Sequence, residues 1–346
     1  MTPTHLSLLF VGSLMLAGPA PAQEESPVQP LGIGLEGYGY PFPVSYLTLK
    51  SQPEQVRMAY MDVAPTGKTR GQTEGPDTPV VVLLHGKNFS GAYWQDTIQS
   101  LADAGFRVIV PDQVGFGKSS KPIGPYSFHA MAVQTKALLE ELKVTKAAVV
   151  AHSMGGMLGI RFSLMYPGMV SHLVLENPIG LEDYREKVPY TATSKLYEKA
   201  LEQKEEDIRK YHQSYYPEWK PMYEQWVQLQ YRWLLGGEGS RIAMVSALTT
   251  QMIYEQPVCY EVGRLKVPAL LIIGQKDRTV VGKESLDKET AASMGNYPVL
   301  GKKTTEAIPG ARLVEFPECG HIPHLESTKE FDAEVVKFLR EGKGKK

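Results

Sequence analysis

Val80-Val81-Val82-Leu83-Leu84 constrains the fold of this chain more than any other feature. A strand with one wet face alternates apolar and polar residues. An unbroken β-branched run has no wet face, and strands of that kind belong to parallel sheets covered by helices on both sides. Shorter runs of the same character recur at Val108-Ile109-Val110, Ala147 to Ala151, Leu173-Val174-Leu175 and Ala269 to Ile273. Helical patterns separate the first of them, at Trp94 to Ala104 and Ala130 to Leu142. Strands and helices in alternation predict a parallel sheet with right-handed crossovers. Two earlier stretches, Val44 to Lys50 and Val56 to Val63, alternate instead and suit an antiparallel pair. A strand at Arg312 to Phe316 and an amphipathic helix at Phe331 to Leu339 complete the set. The expectation is an α/β class chain with a mostly parallel eight-stranded sheet flanked by helices, and no internal repeat.

One segment interrupts the alternation. Between the strand ending near Asn177 and the one starting near Pro268 no strand-like run occurs, and Thr193 to Tyr211 is rich in Lys, Glu and Leu. This stretch holds ten of the eighteen Tyr and three of the four Trp: Trp219, Trp226 and Trp233. A crossover does not need so many residues. Residues 179–265 are therefore predicted to form a helical cap over the carboxyl edge of the sheet. The two parts of the sheet domain are then 23–178 and 266–346. The cap's rings supply its own small core and the lining of an apolar substrate pocket. Residues 23–43, rich in Pro, Gly and Gln, read as an extended, poorly packed lead-in, and 64–78 as a surface loop.

The first 22 residues read as a signal peptide. An apolar run from Leu6 to Ala17 precedes Ala20-Pro21-Ala22, whose small residues fit cleavage after Ala22 and export to the periplasm or beyond. The run falls short of the ~20 apolar residues that a membrane span requires. The formal net charge of the 346 residues is −1, so no basic field exists to attract nucleic acid or anionic lipid. Cys259 and Cys319 can pair in an exported protein, but two free thiols are the preferred reading.

The strand at Ala147 to Ala151 runs into His152-Ser153-Met154-Gly155-Gly156, and Met157 to Met165 continues as a helix. A serine on a sharp strand-to-helix turn needs small neighbours; Ala151 and Gly155 provide them, Ala151 where glycine is usual. The turn lifts the hydroxyl above the sheet and points the first helical amides, that of Met154 included, at the same space. A serine needs a base. His321 follows the strand Arg312 to Phe316 after a short loop ending in Gly320. His324 reads as structural and His152 as pointing away. Asp277, at the carboxyl end of the strand Ala269 to Gly274, is placed to orient the base. The chain order is Ser153, Asp277, His321. A second oxyanion donor is expected from His85-Gly86-Lys87-Asn88, with the Lys87 amide preferred and Asn88 as the alternative. Asp112 reads as structural, holding its own glycine-rich loop. No cofactor and no metal are called for.

These residues carry a resemblance. His85-Gly86, Pro111-Asp112, Gly115-Phe116-Gly117-Lys118-Ser119, His152-Ser153-Met154-Gly155-Gly156, Asp277 and Gly320-His321-Ile322-Pro323-His324 resemble the α/β-hydrolase superfamily with a cap domain, over nearly the whole mature chain. Asn177 to Asp183 is similar to a group of poorly characterised bacterial hydrolases. The resemblance implies the α/β-hydrolase fold and a Ser-Asp-His triad. Haloalkane dehalogenases and epoxide hydrolases carry Asp where Ser153 stands, so those reactions are disfavoured. Ester, thioester, lactone, amide or C–C bond hydrolysis of a small acyl substrate with an apolar part is expected, a carboxylesterase-like activity first. Cofactor-free haloperoxidase chemistry and a non-catalytic binding role are the alternatives from other classes. An aminopeptidase-like amidase would need an acid such as Glu182 or Asp183 for the substrate's amine, and solvated surface is the simpler reading of both.

Overall fold

The computed structural model describes residues 28–51, 54–66 and 78–341. The segment read as a signal peptide and most of the 64–78 loop lie outside them. The eight strands are β1 (Val44–Ser51), β2 (Glu54–Val63), β3 (Val80–Leu84), β4 (Arg107–Pro111), β5 (Ala147–His152), β6 (Val170–Glu176), β7 (Ala269–Gly274) and β8 (Arg312–Phe316). They form one sheet in the order β1-β2-β4-β3-β5-β6-β7-β8. The pairs β1/β2 and β2/β4 are antiparallel and all later pairs are parallel. The two alternating stretches are the antiparallel ones, and the continuous runs are the parallel ones.

Period-two geometry sends successive residues of each central strand to opposite faces. Val82, Leu84, Val149, Ala151, Leu271 and Ile273 pack on one side, against α2 (Phe128–Glu141) and α3 (Met154–Met165). Val81, Leu83, Val150, Val174, Leu270 and Ile272 pack on the other, against α1 (Gln95–Asp103) and the helix Thr328–Arg340. Each of these valines, leucines and isoleucines contributes about 1.5–3 kcal/mol by leaving water, so the run that marked the fold also supplies much of its stability.

Between β6 and β7 the chain adds four helices, α4 (Thr193–Leu201), α5 (Glu205–Gln213), α6 (Glu224–Leu234) and α7 (Gly239–Glu255). The stretch from Thr193 to Tyr211 is not one helix. It breaks at 202–204, where the Lys204 amide donates to Asp207 Oδ2 at 3.0 Å and opens α5. These aromatics of the insertion do not form a separate core: Tyr215, Tyr216, Tyr223 and Trp226 join the cluster on the face of the sheet that α1 covers. The lead-in also differs from expectation. Leu31 and Leu35 are buried, and the Leu31 amide donates to Arg232 O on α6 at 2.9 Å. Their apolar side chains had been outweighed by the surrounding Pro and Gly. Cys259 and Cys319 are both free thiols. Among the described residues no helix is long and apolar enough to cross a membrane.

Leu271 is fully buried at the centre of β7, and Leu271→Ala is expected to lower stability by about 2–5 kcal/mol in urea unfolding. Val299→Ala, at an exposed position, should change it by less than about 0.5 kcal/mol. Equal effects would contradict the packing described.

Candidate active site

Ser153 occupies the one residue between β5 and α3, with φ 56° and ψ −119°. A side chain at positive φ is strained, by about 1–3 kcal/mol in such regions, and persists only where its surroundings fix it. Here they do. The Ser153 amide donates to Glu176 O at 3.1 Å, and Ser153 O accepts from Gly156 and Ile179. Gly155 permits the close packing, because a Cβ there would sit 2.3 Å from Leu84 O. Gly86 does the same from the neighbouring loop: its Cβ would lie 3.2 Å from Ser153 Cβ. The loop after β3 therefore rests directly on the serine.

The structure brings the three residues chosen from sequence together. His321 Nε2 lies 2.9 Å from Ser153 Oγ and His321 Nδ1 lies 2.7 Å from Asp277 Oδ2. All three are buried. With Nδ1–H donated to the carboxylate, Nε2 carries the lone pair that accepts the serine proton. Asp277 is itself held. Its Oδ2 also accepts from Asn177 Nδ2 at 2.8 Å, and its Oδ1 from the Thr279 amide at 2.8 Å. Asn177 in turn accepts the Gly274 amide at 2.9 Å and sits at φ 36°. Sequence reasoning gave Asn177 no part in the site. The available signal was its place just past the end of β6, beside the strand that carries Asp277.

His152 does turn away from the serine. Its Nε2–H donates to His321 O at 2.9 Å, and its Nδ1 accepts from Tyr93 OH at 2.9 Å, while that hydroxyl accepts the Gly86 amide at 2.9 Å. Burial holds this imidazole well below its usual pKa, consistent with a neutral ring in a chain of hydrogen bonds that links the β3 loop to the His321 loop. His324 is structural as read. Its amide and Nδ1 both bond Glu176, at 2.7 and 2.8 Å, and its ring stacks on Trp94 at 4.0 Å.

The Lys87 and Asn88 amides have no acceptor among the described residues, and the Met154 amide opens α3, where no intrahelical partner exists. The Asn88 side chain is committed elsewhere, since its Nδ2 donates to Tyr215 OH at 2.8 Å. Asp112 holds its loop as expected, accepting from the Gly91 and Lys118 amides at 2.7 Å each and from Tyr40 OH at 2.6 Å. The insertion reaches the triad itself: Tyr215 O accepts the His321 amide at 2.7 Å, and its ring stacks on the imidazole at 4.9 Å. Glu182 and Asp183 are not free surface acids. Glu182 accepts the Gly295 amide at 2.8 Å, and Asp183 bonds Arg185 and Tyr260. Among the described residues no cluster of His, Cys, Asp and Glu is arranged to hold a metal.

Glu326 is a second residue that sequence did not single out. Its carboxylate accepts from the Gly320 and Ile322 amides, at 2.9 and 3.0 Å, and so grips the chain on both sides of His321. Burial pushes its pKa up to about 7 from an ordinary 4.5. A raised acid binds its proton more tightly folded than unfolded, so this contribution to stability is full below the ordinary value and fades as pH rises towards about 7. The melting temperature of the wild type is therefore expected to fall more across that window than that of Glu326→Gln, which keeps an acceptor oxygen. Parallel curves would contradict this.

Comparison with known proteins agrees with the geometry. Residues 79–328 match the family model for the alpha/beta hydrolase fold. A probable hydrolytic enzyme from Pseudomonas aeruginosa PAO1 is 45% identical, with a TM-score of 0.86 over 91% of this chain and 100% of its own. A 2-hydroxy-6-oxononadienedioate/2-hydroxy-6-oxononatrienedioate hydrolase from Burkholderia vietnamiensis is 27% identical over 83% of this chain and 97% of its own. A haloalkane dehalogenase from Mycobacterium marinum is 32% identical, but over 40% of this chain and 44% of its own length. With its eight-stranded sheet and the match spanning most of its length, the chain belongs to the alpha/beta hydrolase fold family.

Proposed function

We propose that this hydrolase cleaves a carboxylic ester or a related acyl substrate through an acyl-enzyme on Ser153. The observation that carries the reading is the continuous hydrogen-bonded line from Ser153 Oγ through His321 to Asp277, at 2.9 and 2.7 Å. As Ser153 Oγ attacks the carbonyl carbon, His321 Nε2 takes its proton and Asp277 stabilises the imidazolium. The Lys87 and Met154 amides receive the oxyanion. Collapse of the tetrahedral intermediate breaks the bond to the leaving group, which leaves with the proton from His321. Water then attacks the acyl-enzyme with His321 as base, releasing the acid and restoring the serine.

In the same reading residues 179–265 act as a cap. Tyr215 supports this, since its carbonyl holds the His321 loop and its hydroxyl holds Asn88. A cavity of about 650 Å³, mouth included, lies between the β3 loop and α4, α6 and α7. Ser153 does not line it; Lys87 and Asn88 connect the two. Hydrolysis of a C–C bond on the same triad is the second reading, favoured by the Burkholderia relative, whose match spans nearly its full length. The apolar run and Ala20-Pro21-Ala22 support export of the mature chain.

A panel of p-nitrophenyl esters of rising chain length, with an amide and a vinylogous diketone as controls, tests the reading. Ester turnover is expected, and Ser153→Ala or Asp277→Asn should each lower kcat by at least about a thousandfold. Retention of activity in either folded variant would contradict the assigned roles.

A further inference from the structure

Much of the wall of the cavity between the β3 loop and the insertion is apolar, formed by Phe89, Phe116, Leu229, Trp233, Ile242 and Val245, with neutral polar side chains such as Gln203 and Gln230 between them. Among the described residues that line it, Lys87 is the one charged side chain. Its Nζ donates to Ser246 Oγ on α7 at 3.0 Å, and no carboxylate among the cavity's lining residues faces it. An ammonium has three hydrogens to donate, and Ser246 takes one. Burial alone lowers its pKa, to about 8, with no acidic neighbour raising it again. The cation is still the major form at neutral pH, and a cation without a counter-ion in an apolar wall is costly to the fold.

The placement gives that cost a use. The backbone of Lys87 follows Gly86, which rests on Ser153, while its side chain ends on the insertion. One residue thus links the loop that packs on Ser153 to α7 on the far side of the cavity. We propose that the Lys87 ammonium binds a carboxylate of the substrate, so that the cavity selects acid-bearing acyl compounds: half-esters of dicarboxylic acids, or esters of hydroxy acids. A carboxylate there would gain a charge-assisted hydrogen bond on a largely apolar wall, and Ser246 would steer the ammonium. This inference rests on the reading of Ser153 as nucleophile. If Lys87 merely tied the β3 loop to α7, acidic and neutral substrates would be treated alike.

The test is a ratio. The kcat/KM of p-nitrophenyl half-esters of dicarboxylic acids is divided by that of neutral esters of matched length, for the wild type, Lys87→Met and Lys87→Arg. Any effect of the substitution on folding or on the oxyanion amide is common to both substrates and cancels. The wild type is expected to prefer the acidic ester by about tenfold or more, Lys87→Met to abolish the preference, and Lys87→Arg to retain part of it. Matched esters of a hydroxy acid, with the carboxylate on the alcohol, show which side of the scissile bond faces the lysine. A ratio near one for both substrate series, or a preference that survives in Lys87→Met, overturns the proposal. Calorimetry separates its failure from failure of the nucleophile assignment. Half-amides of dicarboxylic acids, and N-acyl amino acids as the amide counterparts of the hydroxy-acid esters, should bind Ser153→Ala more tightly than neutral analogues, and lose that advantage in Ser153→Ala/Lys87→Met, whether or not any ester is turned over. Equal binding of acidic and neutral amides overturns it as well.

Discussion

Ser153 holds a backbone conformation, φ 56° and ψ −119°, that an L-residue leaves unless everything around it forbids the alternatives. What forbids them is the sheet. Glu176 O on β6 fixes the serine amide, and Leu84 O at the end of β3 stands where any side chain at position 155 would have to go. Three parallel strands must end at one level for this turn to exist. The continuous apolar runs that bury those strands on both faces are therefore what keeps the hydroxyl raised above the sheet edge.

From that turn, hydrogen bonds reach the other parts of the site. One line runs from Ser153 through His321 to Asp277 and Asn177. A second runs behind it, from the Gly86 amide through Tyr93 OH and His152 to the carbonyl of His321. The loop proposed to bind the oxyanion and the loop that carries His321 are thus joined through the buried imidazole of His152. The insertion completes the ring, since Tyr215 bonds both the His321 amide and the Asn88 side chain.

Much of this could be read from the sequence, for a definite reason. Strands buried on both faces and a serine between small residues leave local signatures, so the sheet and the candidate triad were visible in Val80 to Leu84, Ala151 to Gly156, Asp277 and His321. The residues that were missed act over long separations. Asn177 meets Asp277 a hundred positions away, and the Lys87 side chain meets Ser246 at 159; no local pattern marks either. Glu326 was hidden differently. It lies close to His321 in sequence, but its two amide bonds depend on a bend of the backbone that composition does not encode. The break between α4 and α5 escaped because Lys, Glu and Leu favour helix throughout Thr193 to Tyr211, and the packing of the insertion decides where that helix ends. Leu31 and Leu35 were obscured by neighbouring Pro and Gly, which describe the backbone and not what two leucines can bury.

The proposed mechanism requires the strained serine to be the nucleophile. Reaction with a fluorophosphonate, followed by mass spectrometry of the digested protein, tests it directly, because the reagent needs an activated serine and no knowledge of the substrate. A single phosphonylated peptide containing Ser153 is expected from the wild type and none from Ser153→Ala. An unlabelled wild type, or an adduct on another residue that persists in Ser153→Ala, would contradict it.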